Sequence, residues 1–204
     1  FMFQILKNGG ILMVPIIACG FIVVFIVIER LHYFFTVKKR EETFSDDIDA
    51  AIAKGDYTVA ENLCNNAATP CAFVVKDAIN CRGLDEQDLK EYVQTKMDLA
   101  VPKFEHLLSA LGTISNVATL LGLLGTVTGN IKAFGVLGNG GTMGDPALLA
   151  SSIGEALVTT VAGLIVAIPA IIFHSYFNSL VNHSIKSMEL TVTRVMFRLT
   201  GKNL

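Results

Sequence analysis

The sequence predicts an all-α membrane protein. It should have three transmembrane helices, amino terminus out and carboxyl terminus in, with long helices extending into a cytoplasmic helical domain. Three observations lead there. The 204 residues have a mean hydropathy of +0.55, and only 17% are charged, against about a quarter in a soluble domain. The apolar residues gather in three blocks, 11–28, 107–134 and 146–177, each long enough for a helix to cross hydrocarbon, which takes about 17–25 residues. Lys and Arg are unevenly placed: nine lie between 38 and 103, four after 177, and Lys7 stands alone before the first block. Positive residues stay cytoplasmic, so the central stretch and the tail should be inside, and the 135–145 loop outside. The expected divisions are 1–37 (periplasmic terminus and first span), 38–104 (cytoplasmic helical insertion), 105–177 (second and third spans) and 178–204 (cytoplasmic C-terminal helix).

The first block reads as a retained signal anchor, since no A-x-A pattern follows it. Its end is marked by Glu29 and Arg30, then by Lys38, Lys39 and Arg40. Tyr33, Phe34 and Phe35, with Phe173, Tyr176 and Phe177 after the last block, sit where interfacial aromatic anchors belong. Residues 41–103 read as short helices. Ser45 caps one that Gly55 ends, Asp56 caps the next, and Pro70 starts a third. From Asp85 the pattern is helical to 134, so one helix kinked near Pro102 is expected. Asp85, Glu86, Asp88 and Glu91 read as a helix start and a solvated face. Asp145 before Pro146 can cap the third span, and Pro169 can bend it. The tail after His174 is amphipathic and should continue as helix.

Several functions are excluded. A net charge of −2 gives no overall basic signal for nucleic acid. Cys19, Cys64, Cys71 and Cys81 form no CxxC pair and have no His cluster beside them, so they read as reduced thiols and no metal site is expected. The loop GVLGNGGTMGDP lacks the Lys and Ser/Thr of a phosphate loop. No catalytic residue or cofactor is expected. His32, His106, His174 and His183 sit at span ends or in the tail, and Glu105 can pair locally with His106.

What stands out is Glu155, in the middle of the third apolar block. A charge in a spanning helix costs roughly 3 kcal/mol on insertion scales and by default marks a functional site. Ser151, Ser152, Thr159 and Thr160 surround it, with Thr159 on its own face and Thr160 turned sideways toward the second span. On the second span, Ser115, Thr119, Gly122, Thr126 and Gly129 form one small, polar stripe. A carboxyl group at lipid depth with hydroxyls beside it is what a proton relay needs. The candidate pathway is Glu155, Thr126 and Thr160, with Ser152, Thr159 and Thr119 as further pore-lining positions. The alternative is that the stripes only pack helices, as Gly125 and Gly129 in a GxxxG do. Sodium is a second possible cargo, since it too needs a carboxylate and hydroxyls. Three spans are too few for a transporter built of repeats, so other chains must complete any pathway.

The segments GLLGTVTGNIKAF (122–134) and GDPALLASSIGEALVTTVAGLIVAIPAIIFHSYFN (144–178) resemble the two hallmark segments of the ExbB/TolQ/MotA proton-channel family, nearest its ExbB branch. The resemblance implies an inner-membrane stator, usually a pentamer, whose second and third spans line a pore. An ExbD- or TolR-like dimer of single-span subunits would sit inside that pore, and the work of proton flow would pass to a TonB-like protein or to the Tol–Pal system. The family's pathway Glu falls on Glu155, its pore threonines on Thr126 and Thr160, and its proline on Pro169. Asn130 and Lys132 depart from the pattern, standing where more apolar residues belong.

Overall fold

A computed structural model describes residues 10–138 and 146–201 of the chain. Lys7, Asp145 and Lys202 lie outside the described residues, as does most of the glycine-rich loop. The described residues are all-α, with no strand among them. The helices are α1 (Met13–Ala53), α2 (Tyr57–Ala67), α3 (Pro70–Asn80), α4 (Glu86–Glu105), α5 (Leu108–Gly138) and α6 (Pro146–Leu199). Three of them, α1, α5 and α6, are long and apolar enough to cross a membrane. The described residues fall into two compact units, one from 10–28, 107–138 and 146–176, the other from 29–106 and 177–201.

Two sequence expectations about helix ends are corrected. The helix of the first block does not stop at Glu29, and Ser45 does not start another. α1 runs through both, because no Gly or Pro interrupts it from Phe21 to Ala53. Ser45 is instead an interior residue, its hydroxyl 3.2 Å from that of Thr191 and accepting from Arg194 Nη2 at 3.1 Å. Pro15 lies in the first turn of α1, where its missing N–H has no intrahelical partner to lose. The helix ends as expected at Gly55, which has φ 74°. The Asp56 N–H reaches back to the Ala51 carbonyl at 3.2 Å, the usual left-handed glycine closure.

The second correction concerns 85–134. Pro102 does not mark the break. α4 ends at Glu105, and α5 starts at Leu108 after Leu107 adopts φ 63°. A left-handed Leu costs about 1–2 kcal/mol, so other contacts must hold it. At the end of α4, Arg30 is only 2% exposed and its Nη1 donates to the Phe104 carbonyl at 3.4 Å. That supplies a donor to one of the carbonyls that a helix end leaves open. Its Nη2 lies 3.0 Å from His106 Nδ1, and its Nε pairs with Glu29 at 2.7 Å. His106 thus meets Arg30, not Glu105.

The caps of the short helices follow the sequence. Asp56 Oδ1 accepts from the Val59 N–H at 3.1 Å, and Thr69 Oγ1 from the Ala72 N–H at 3.3 Å, with Pro70 in the first turn of α3. Asp85, Glu86, Asp88 and Glu91 are exposed. Leu89, Val93, Met97, Ala100 and Phe104 are buried at helical spacing on α4, and Phe177, Val181, Met188, Val192 and Val195 on α6. These stripes form the core of their unit, each large side chain contributing about 1.5–3 kcal/mol. Two of the expected interfacial aromatics belong to it. Phe34 and Phe177 are buried and stack with centroids 5.9 Å apart, whereas Phe35 and Tyr176 remain exposed.

This unit buries polar groups too. Arg194 Nη1 pairs with Asp49 Oδ2 at 2.6 Å. Glu41, well past the apolar stretch that ends at Ile28, is mostly buried, with Oε1 lacking a hydrogen-bond partner. Burial pushes its carboxyl up to about 7, and the Cys71 backbone N–H draws it down only in part. The four cysteines are free. Burial also lifts the Cys64 thiol to about 12 and raises that of Cys71.

Candidate functional site

The site lies where α5 and α6 pack. Their contacts climb one helix as they descend the other, so the pair is antiparallel. A Cβ on Gly122 would lie 3.4 Å from the Gly163 Cα, one on Gly125 would lie 2.5 Å from Thr159 Cγ2, and one on Gly129 would overlap Ala156. A Cβ on Gly163 would lie 2.7 Å from the Ala118 carbonyl oxygen. Small residues let the two backbones approach closely, since lipid tails offer no hydrophobic drive between helices. At one end of the seam His174 fills the space beside Gly112, where a Cβ would come within 2.9 Å of its Nε2. On α1, Gly20 faces Val166 at 3.3 Å by the same measure.

The expected stripe on α5 is therefore split. Ser115, Gly122 and Gly129 are buried against α6, together with Ala118 and Gly125. Thr119 is exposed, Thr126 half-buried, and both flank the seam. Their hydroxyls donate to their own helix, Thr119 to Ser115 O at 3.1 Å and Thr126 to Leu123 O at 2.6 Å. Thr160 turns sideways as its place on the helix requires, with Oγ1 2.8 Å from the Gly122 carbonyl and 3.2 Å from that of Ala156. Thr159 is buried and donates to the Glu155 carbonyl at 2.8 Å, and Ser152 donates to Leu148 O at 3.0 Å.

Glu155 itself is half-buried, its side chain 28% exposed. Its Oε1 accepts from Lys132 Nζ at 2.8 Å. Gly10, at φ 64°, lies so close to the carboxylate that any side chain there would overlap Oε1. The sequence singled out Glu155 but not its partner. The only signal was that Lys132 is a charge in an otherwise apolar segment.

Apolar helices joined by a small-residue seam, with one acid–base pair beside it among the described residues, define a multi-pass membrane protein. The family comparison makes this specific: residues 66–190 match the MotA/TolQ/ExbB proton channel family. The chain belongs to that family, whose members are channel and transport proteins, not enzymes.

The chain is 29% identical to the ExbB-like 3 protein of Synechocystis sp. over 173 residues, which is 84% of this chain and 82% of that one. It is 26% identical to the ExbB homolog of Methanothermobacter thermautotrophicus, covering 92% of this chain and 66% of the other. It is 39% identical to the biopolymer transport protein ExbB of Neisseria gonorrhoeae, where 44% of this chain meets 42% of that protein. The chain thus spans less than half of the Neisseria protein and about two thirds of the Methanothermobacter one.

Proposed function

We propose that the chain forms the proton-conducting, homo-oligomeric stator subunit of an energy-transducing motor in a bacterial inner membrane. Glu155 takes up and releases the proton. Thr126 and Thr160 orient it or its water, and Ser152, Thr159 and Thr119 line the path. Residues 38–104 and 178–204 lie in the cytoplasm, as the Lys and Arg bias favours. A pentamer of this chain surrounds an ExbD/TolR-like dimer and passes work to a TonB-like protein. The ExbB names of the relatives favour this role over a TolQ-like one in an envelope-maintaining Tol–Pal system.

The observation that carries the reading is the placement of Glu155. It is the sole Asp or Glu among the described residues of its apolar unit, and it stands beside the helix seam. An acid retained in such a setting is expected to serve ion movement. The test is Glu155→Gln in the full-length protein. Transport coupled to the proton motive force should be lost while the oligomer still elutes at its usual size. Wild-type transport in that variant would sink the reading. Transport that tracked sodium at fixed pH would instead change the cargo.

A further inference from the structure

Among the described residues of the apolar unit, Lys132 is the only Lys or Arg, as Glu155 is the only Asp or Glu. The antiparallel register of α5 and α6 sets the two face to face, with Nζ 2.8 Å from Oε1. The other titratable side chains among the described residues of this unit are Cys19 on α1, and His174 and Tyr176 on α6. His174 is 19 residues along α6 from Glu155, roughly 28 Å of helix. Among the described residues before α1, the uncharged backbone of Gly10 lies against the carboxylate.

We infer that Lys132 is a positioning residue for Glu155, a tethered counter-ion whose ammonium occupies the place a transported cation would take. The inference rests on the reading of Glu155 as the ion-exchanging group. A carboxylate out of bulk water attracts whatever cation can reach it, the more strongly as the local dielectric falls. Gly10 closes one flank, and Lys132 covers the oxygen beside it. Lysine suits the task because its ammonium is a compact charge on a flexible four-carbon stem. With 57% of its side chain exposed, the head can swing off without moving either helix. The pair therefore has two arrangements. In the closed one Lys132 covers Oε1 and excludes other cations. In the open one Glu155 is free to exchange an ion. Lys132 thus holds back ion flow until the complex moves it aside.

The test needs two readouts on the full-length protein, purified with whatever subunits it carries. The first is modification of Glu155 by dicyclohexylcarbodiimide, located by mass spectrometry, because the carboxyl oxygen adds to the carbodiimide carbon as its proton passes to the carbodiimide nitrogen, and an ammonium bonded to that oxygen blocks the addition. Lys132→Met and Lys132→Gln should label roughly fivefold faster than wild type, and Lys132→Arg at the wild-type rate. The second is proton flux in proteoliposomes without a working energy consumer. The two neutral variants should leak several-fold more than wild type, and adding Glu155→Gln should remove the leak. Labelling at or below the wild-type rate in both neutral variants would overturn the inference. So would a failure of both to assemble while Lys132→Arg assembles, because the pair would then be structural. If labelling rises as expected but Glu155→Gln conducts like wild type, the ion-site reading fails and the inference falls with it. If Glu155→Gln abolishes flux but the neutral variants alter neither readout, the inference alone is wrong.

Discussion

Gly163 on α6 and Gly122 on α5 meet backbone to backbone, so that a Cβ on Gly163 would lie 2.9 Å from the Gly122 Cα. The same Cβ would lie 2.7 Å from the Ala118 carbonyl oxygen. Neither neighbour is a flexible side chain that could step aside. Gly163→Ala should therefore push the helices apart and cost about 1–3 kcal/mol, the usual penalty of overpacking. Thermal unfolding in detergent would measure it. Gly154→Ala, with nothing within 4 Å of its Cβ, is the control and should gain about 0.5–1 kcal/mol from the loss of a mid-helix glycine.

Thr160 ties the same seam through its hydroxyl, 2.8 Å from the Gly122 carbonyl. Thr160→Val keeps the shape and removes the bond, at a cost of about 1 kcal/mol in an interhelical setting. Thr160→Ser should retain it. On the proposed pathway the valine variant should also lower proton flux, and the serine variant should restore most of it. Equal flux in both would remove Thr160 from the pathway.

Arg30 is buried and makes its bonds to Glu29, the Phe104 carbonyl and His106 at once. Arg30→Met should leave the Phe104 carbonyl at the end of α4 without its donor, destabilising by about 1–3 kcal/mol. Arg30→Lys should recover little, because an ammonium cannot reproduce the planar fork. Melting temperatures of the two variants, which should both fall, provide the check.

Glu41 sets a pH dependence. Burial raises its carboxyl from 4.5 to about 7 in the folded state. Between those values the folded form holds a proton that the unfolded form has released, so stability falls as pH rises through that window and levels off above it. The full span corresponds to about 3 kcal/mol at most. Glu41→Gln should flatten this part of the profile and be the more stable protein at pH 8. Denaturant titrations from pH 4 to 8 would show it, and a profile unchanged by the substitution would contradict it.

The three apolar helices and the glycine seam were legible in the sequence, because both follow from spacing along a single helix. Gly122, Gly125 and Gly129 fall on one face by arithmetic alone. So does the sideways turn of Thr160. What the sequence could not give depends on residues distant along the chain. The break at Leu107 has no glycine or proline to announce it, and Arg30 is 74 residues from the carbonyl it reaches. Ser45 looks like a cap because of Asp46 and Asp47 after it. Its real neighbours are Thr191 and Arg194, on a helix that begins a hundred residues later. The pairing of Lys132 with Glu155 likewise needs the register of two helices, which no local pattern encodes. By spacing, Thr119 and Thr126 share one stripe with Gly122 and Gly129, and spacing does not separate packing from pathway. The structure gives packing to the glycines and leaves both threonines at the edge.

Synthesis from the amino terminus delivers Lys132 to the membrane 23 residues ahead of Glu155. Until the later helix emerges, the described residues of its unit offer the lysine no carboxylate. Each charge alone opposes insertion by roughly 3 kcal/mol, whereas together they are electrically neutral. The second and third spans should therefore enter as a hairpin, and a chain cut short between these two residues should be a poor substrate for the insertion machinery.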